Sequence, residues 1–345
     1  MRVSVSLAAT VFTALASSAP ASKEPQNKTA AAEQCHGING PVLENNFPDP
    51  SLFYTNDTWY SFGTFNGQDL QVAQSNNLES GWSKIRPDHR ILAINESTWA
   101  GKRVNSTYGI WAPDVFQRSD NKYVMYFSAY EKAPENKTKP HCIGAALSES
   151  ITGPYHPINT FKQCNETGVI DPSWFKDPST NKQYIVYKTD RPKVYLELRE
   201  VASKGANESV QFAGHAHKLL KMHEQGFSDG YNLEAPSLFK RGDIYFLAYS
   251  THYYGDGSYN VEYATAKSVL GPYKRVKTPL LETTDEFGCS LVGPGSASFL
   301  RSPCGDEEKA KVIFHGLKEP IKPMRRQLYT ASVKVNGTKL YIEKS

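Results

Sequence analysis

The sequence predicts an all-β protein, a five-bladed β-propeller with its active site at one mouth of the central channel. Three observations predict it: a short phrase that returns at a spacing of roughly 60 residues, an aromatic-rich alternating run after each copy, and scarcely any segment of helical period. The copies read Phe47-Pro48-Asp49-Pro50-Ser51-Leu52, Trp111-Ala112-Pro113-Asp114-Val115, Ile170-Asp171-Pro172-Ser173-Trp174 and Leu233-Glu234-Ala235-Pro236-Ser237-Leu238, with a weaker fifth at Val292-Gly293-Pro294-Gly295-Ser296. One supersecondary unit used several times closes naturally into a ring. A two-sheet sandwich would have no reason to repeat itself.

The elements follow in chain order. Arg2, the apolar run Val3 to Ala16 and Ala19-Pro20-Ala21 have the form of a secretory signal peptide, so residues 1–21 are expected to be removed and the protein secreted. A membrane anchor needs roughly 20 apolar residues, and Ser17, Ser18 and Pro20 end this run too early. Residues 22–40 lack periodicity and read as a flexible leader; residues 41–345 form the single propeller domain. After the first copy, Asn56-Asp57 turns the chain into Trp59-Tyr60-Ser61-Phe62, and after the second Ser119-Asp120-Asn121 leads to Tyr123-Val124-Met125-Tyr126-Phe127. Asn181-Lys182 before Tyr184-Ile185-Val186-Tyr187 and Arg241-Gly242-Asp243 before Ile244-Tyr245-Phe246-Leu247 continue the series. Asn, Asp and Gly turns between β-branched and aromatic runs are hairpin signals. Each repeat closes on a further strand and turn, as in Gly153-Pro154-Tyr155 and Gly271-Pro272-Tyr273.

Composition narrows the partners. The 345-residue chain has a dispersed net charge of +4 and no basic stripe with interleaved aromatics, which excludes nucleic acid as a natural partner. Its 20 Tyr and 12% aromatic content suit strands and sugar-stacking surfaces. Eight Asn-x-Ser/Thr triplets, at Asn27, Asn56, Asn95, Asn105, Asn136, Asn165, Asn207 and Asn336, agree with a secreted glycoprotein. In an oxidising compartment the five cysteines allow two disulfides, with Cys142–Cys164 and Cys289–Cys304 as the local pairings and Cys35 left over. No spacing suggests a metal site. No membrane partner is expected, and the protein is expected to be a monomer.

Ring geometry gives the acids of the phrase a purpose. If the phrase is the innermost strand of each blade, Asp49, Asp171 and Glu234 occupy one place in three blades and converge at one mouth of the channel. Like charges gathered together raise one another's pKa, so such a group serves chemistry or a cation. Glycoside hydrolysis needs one protonated acid for the leaving oxygen and one carboxylate acting on water or the anomeric carbon. Asp-Pro turn chemistry is the structural alternative for Asp49 and Asp171. Glu234, at the start of an apolar strand, has less structural use.

The four phrases in order, with the Gly-Pro-Tyr turns, resemble glycoside hydrolase family 43 over about Pro41 to the C-terminus. That resemblance implies a five-bladed propeller of inverting enzymes acting on arabinofuranosides and xylosides. By motif it implies Asp49 as general base, Glu234 as general acid and Asp171 as the residue that tunes the acid and orients substrate. Trp111 is expected to form a sugar-stacking wall, with Phe65, Tyr231 and His252 as further rim candidates. Arg326 resembles a late arginine that reaches the pocket in relatives, and Arg325 stands beside it. Many relatives carry Gly-x-Gly-His in the fifth blade, beside a central calcium or its waters. Ser296 stands there in this chain, so no cofactor is required and a central calcium is disfavoured.

The activity expected is cleavage of arabinan or arabinoxylan of the plant cell wall, the Glu234-Ala235-Pro236 and Tyr249-Ser250 pairing resembling the arabinan-active branch. β-Xylosidase is the neighbouring alternative, and a carbohydrate-binding propeller without turnover is the non-enzymatic one. A retaining fructosidase would carry Asn-Asp-Pro-Asn, Arg-Asp-Pro and Glu-Cys, none of which this chain matches. Inversion predicts a base-to-acid separation of roughly 6.5–9.5 Å. The inserts Asp88 to Tyr108 and Tyr130 to His141 are where endo and exo cleavage would be decided.

Overall fold

The computed structural model describes residues 36–67, 69–102, 109–134, 137, 139–301, 308–318 and 324–343. The expected signal peptide, Cys35, Asn27, Asn105, Asn136 and Cys304 lie outside them. Within them are twenty-one strands and one 3₁₀ turn, Ile94–Glu96. Strand β1 (Ile38–Leu43) opens the chain, three residues before the expected start of the domain. Blade 1 follows with β2 (Ser51–Thr55), β3 (Thr58–Gly63), β4 (Gln71–Ser75) and β5 (Ser83–Ile85). Blade 2 is β6 (Trp111–Gln117), β7 (Tyr123–Tyr130), β8 (His141–Ser148) and β9 (His156–Gln163). Blade 3 is β10 (Val169–Lys176), β11 (Gln183–Thr189), β12 (Tyr195–Val201) and β13 (Phe212–Lys221). Blade 4 is β14 (Leu233–Arg241), β15 (Ile244–Thr251), β16 (Asn260–Ala266) and β17 (Lys274–Arg275). Blade 5 is β18 (Gly295–Phe299), β19 (Lys309–Leu317), β20 (Arg326–Asn336) and β21 (Lys339–Ile342).

Each blade is an antiparallel meander, and β1 joins the last one by pairing with β20, Ile38 opposite Ala331 and Leu43 opposite Leu328. The long strand β20 is thus shared: its first half pairs with β1 and its second half with β21. Innermost strands neighbour one another in the order β2, β6, β10, β14, β18, and β18 returns to β2. The ring is therefore closed, with five blades as expected.

The phrase strands are innermost, as expected, and their side chains show how the blades pack. Successive residues of a strand point to opposite faces, and in a propeller both faces meet a neighbouring blade. Val115 packs between blades 1 and 2, whereas Phe116 packs between blades 2 and 3. Leu238 and Phe239 divide likewise between the blade 3–4 and blade 4–5 layers. A fifth layer, with Leu52, Trp82, Ile313 and Leu328, seals blade 5 against blade 1. Strands covered on both faces have no solvent side, so β11 and β16 are buried at every position, their polar residues included.

The Cys142–Cys164 disulfide is present, joining β8 to the end of β9 across a separation of 22 residues. Asn56, Asn95, Asn165, Asn207 and Asn336 are exposed. Among the described residues no helix is long and apolar enough to cross a membrane.

Candidate active site

The recurring phrase is a β-bulge. In the first half of β6, β10, β14 and β18, and just ahead of β2, stands a residue with positive φ: Asp49 (54°), Ala112 (43°), Asp171 (57°), Ala235 (51°) and Ser296 (50°). The ladder loses its register at this point in β6, β10, β14 and β18. A bulge bends the strand and re-aims a side chain, and the proline that follows in four blades lacks the N–H that the broken ladder could not use.

This corrects the expectation that three carboxylates share one place. Asp49 and Asp171 do occupy the left-handed position, but Glu234 stands one residue earlier, level with Trp111, Ile170 and Gly295. Asp114 stands two residues after that position, level with Ser51, Ser173, Ser237 and Ser298. It accepts the Trp174 N–H at 2.6 Å and pairs with Arg301, and burial raises its carboxyl against that cation. It lines the channel below the site and takes no part in the pocket.

The pocket, of ≈ 230 Å³, brings Asp49, Asp171 and Glu234 together with Trp111 and Arg326. Thr64, Ile170, Tyr254, Tyr259 and Ser296 complete its lining. Asp49 accepts the Thr64 hydroxyl at 2.6 Å on Oδ2, and Ser296 (3.1 Å) and Arg326 (3.1 Å) on Oδ1. Burial opposes its charge, but Arg326 foremost, with the Thr64 and Ser296 hydroxyls, outweighs burial and holds the carboxyl below its ordinary value. A carboxylate so held stays ionised, as a base must.

Glu234 is engaged on both oxygens. Lys188 Nζ lies 3.0 Å from Oε2, and the Tyr259 hydroxyl donates to Oε1 at 3.0 Å. Asp171 accepts the Ala235 N–H at 3.0 Å on Oδ2. Its burial, the charge of Glu234 and that of Asp49 push its carboxyl up to about 8, against Lys188 and the Ala235 amide. Three carboxylates thus face two cations, Arg326 and Lys188, and Asp171 is the carboxyl whose proton affinity burial and the other two raise.

Ser296 and Tyr259 connect the two ends. Asp49 to Ser296 is 3.1 Å, Ser296 to Tyr259 is 3.4 Å and Tyr259 to Glu234 is 3.0 Å. Laid end to end, these contacts cap the gap between the Asp49 and Glu234 oxygens at about 9.5 Å, the upper end of the roughly 6.5–9.5 Å range of inverting glycosidases.

Trp111, 36% exposed, is braced from behind by Tyr130 and by His141, whose ring centroid lies 4.0 Å away. Of the two late arginines, Arg326 is the one in the pocket, its guanidinium 5.2 Å from the Tyr254 ring. Phe65, Tyr231 and His252 lie outside the lining. Phe65 packs against the blade 1–2 core, Tyr231 is exposed under the Arg191 guanidinium, and His252 bonds the Thr251 hydroxyl at 2.8 Å. Sequence reasoning missed Thr64, Lys188, Tyr254, Tyr259 and His315. Only Lys188 left a readable signal, a lysine inside the apolar run Tyr184 to Thr189.

The imidazole absent at Ser296 is supplied on the next strand by His315, but its Nδ1 accepts the Asp49 N–H at 3.2 Å. The neutral ring, its pKa pushed down by burial and Arg326 to about 3 against Asp49, therefore carries its proton on the buried Nε2. That nitrogen is a donor in this arrangement. The other cluster of ligand-type side chains, Glu131 with Cys142 and Cys164, has its sulfurs in the disulfide.

The model of glycosyl hydrolases family 43 matches residues 38–338, from β1 to the turn after β20. The chain belongs to glycosyl hydrolase family 43. Among family 43 structures, a thermostable family-43 glycoside hydrolase superposes with a TM-score of 0.71 at 22% identity, covering 88% of this chain and 95% of that one. A xylan β-1,4-xylosidase from Bacillus halodurans gives 0.66 at 21% identity, over 89% and 56%. Likeness at this level establishes the shared fold. An extracellular endo-α-(1→5)-L-arabinanase of Thermotoga petrophila is 27% identical over 71% of this chain and 55% of its own length. A second one, of Bacillus subtilis, is 26% identical over 70% and 52%. A β-D-galactofuranosidase of Aspergillus niger is 24% identical over 77% and 74%. The chain spans about half the length of the two arabinanases it matches.

Proposed function

We propose that this chain is a secreted glycoside hydrolase that cleaves α-L-arabinofuranosidic linkages of plant cell-wall arabinan or arabinoxylan with inversion. The observation that carries the reading is one pocket that holds Asp49, kept below its ordinary value by Arg326, together with Glu234 and an Asp171 whose carboxyl burial and Glu234 push up to about 8. Asp49 removes a proton from the water that attacks the anomeric carbon. Glu234 gives its proton to the departing glycosidic oxygen, and Asp171 holds up the proton affinity of that acid. Trp111 offers its face to the apolar side of the sugar. The cycle leaves Asp49 protonated and Glu234 ionised, and exchange with solvent restores both. No step is routed through a metal.

Furanosides are favoured over xylosides because the relatives named for arabinan and for galactofuranose share a five-membered sugar ring. Secretion is supported by the leader at Arg2 to Ala21 and by the extracellular arabinanases among the relatives. The reading is tested on linear arabinan and on arabinoxylan, following the anomeric proton of the first product by NMR, with Glu234→Gln in parallel. Inverted product is expected, together with a roughly 10²–10⁴-fold loss in the variant on substrates with poor leaving groups. Retained configuration, or wild-type turnover by the variant, would overturn it. Release of xylose but no arabinose would move the assignment to β-xylosidase, and sugar binding without release to a carbohydrate-binding propeller.

A further inference from the structure

Around the mouth, the backbone N–H of each left-handed residue is held by a side chain from the preceding blade. Thr64 Oγ1 accepts Ala112 N–H at 2.9 Å, Ser128 Oγ accepts Asp171 at 3.2 Å, Ser250 Oγ accepts Ser296 at 2.9 Å and His315 Nδ1 accepts Asp49 at 3.2 Å. These four acceptors occupy one register position, opposite Pro48, Trp111, Glu234 and Gly295 on the ladder. In blade 3 that position, opposite Ile170, is Lys188.

A lysine ammonium has three donors and no acceptor, so it cannot take the Ala235 amide. Asp171 takes it instead. A serine would have completed the pattern, yet the position holds a buried ammonium whose desolvation is unfavourable unless it is paired. Its Nζ lies 3.0 Å from Glu234 Oε2, with Asn232 Oδ1 and Asp190 Oδ1 each 3.4 Å away.

We propose that Lys188 is the positioning residue of the acid: it holds Glu234 by Oε2, while the neutral Tyr259 hydroxyl holds Oε1 on the side of the pocket. By leaving the Ala235 amide to Asp171, it also fixes that second carboxylate beside the first. This rests on the reading of Glu234 as the acid. The charged and titratable groups that face Glu234 are Asp171 from β10, Lys188 from β11 with Asp190 beyond its end, Tyr254 after β15, Tyr259 ahead of β16, Asp49 ahead of β2 and, across the pocket and paired with Asp49, Arg326 from β20. Ser250 of β15 and Ser296 of β18 do not titrate, and Glu197 of β12 is taken by the Tyr187 hydroxyl. Lys188 is the cation in contact with Glu234, so its removal favours the protonated acid.

The test compares pH profiles of kcat/KM on aryl arabinofuranosides for wild type, Lys188→Met, Lys188→Arg and Lys188→Ser. Lys188→Ser restores the acceptor used by the other blades, so it keeps the test open if Lys188→Met fails to fold. Loss of the ammonium in Met or Ser is expected to move the alkaline limb up by roughly 1–3 pH units, the range for an adjacent opposite charge, and Arg to return it toward wild type. An alkaline limb that stays in place while activity falls evenly at every pH is the mark of a merely structural lysine and overturns the proposal. Glu234→Gln is run alongside. If it abolishes turnover while the lysine variants leave the limb unmoved, the lysine proposal alone fails. If it turns over as wild type, the acid assignment fails and takes the lysine with it.

Discussion

Removing Arg301 should unfold this protein more readily than removing both Arg301 and the acid it serves. Asp114 is 3% exposed, and Arg301 is the cation paired with it. Arg301→Met leaves a carboxylate buried without its counter-ion, a situation that costs about 3–5 kcal/mol, and Asp114→Ser strands the guanidinium to similar effect. The double variant is different because the other blades carry serine at this level. Ser298 accepts Leu52 N–H at 3.0 Å and Ser237 accepts Phe299 N–H at 3.0 Å, so a serine introduced in blade 2 would inherit the Trp174 amide that Asp114 now holds. The charges it discards are imperfectly satisfied: Arg301 Nε is buried without a partner, and the Asp114 carboxyl is raised by burial, which marks its charged form as unfavourable in the fold. A buried pair replaced by neutral groups is often neutral or stabilising by about 1–4 kcal/mol, so the double variant should match or exceed wild type at pH 7. Urea unfolding of the four proteins, with slopes compared to confirm one transition, measures the cycle. A double variant as unstable as the sum of the single ones would refute the reasoning.

Two further outcomes are expected. Arg326→Met removes the cation that, after burial, weighs most on Asp49, so Asp49 should gain a proton at higher pH and, if it is the base as proposed, the acidic limb of kcat/KM should move upward; a limb that stays in place would count against that role. Replacing Cys142 and Cys164 by serine frees a loop of 22 residues and should lower stability by roughly 3 kcal/mol, read as a fall in the urea midpoint, with an unchanged midpoint counting against a stabilising role.

The five blades were legible because each innermost strand repeats the same bulge chemistry, and Asp49 and Asp171 fell into place with it. The offset of Glu234 was not, since a bulge adds a residue that only the ladder reveals: Glu234 pairs with Ser250 while Asp171 stands outside the register. Thr64 and His315 were missed for a related reason. They come from second strands or their ends, and their place at the mouth depends on how each hairpin aligns with its bulge. Tyr259 lies ahead of β16, where its ring stacks on His315, a contact across 56 positions that no local pattern announces. Tyr231 illustrates the converse, a residue close to the phrase in sequence whose ring the structure places under Arg191.

The sharing of β20 between β1 and β21 has a consequence for synthesis. Ile38 emerges from the ribosome well before Ala331, its ladder partner, and at about 5–20 residues per second the wait is on the order of tens of seconds. Through that interval the hairpins of blades 1 to 4 can form from local contacts, but Leu52 and Trp82 of blade 1 lack Ile313 and Leu328, which complete their layer. A nascent chain therefore displays one unsatisfied apolar face and one unpaired strand until β19 and β20 are made, and a chaperone that shields blade 1 would act at the seam those strands close.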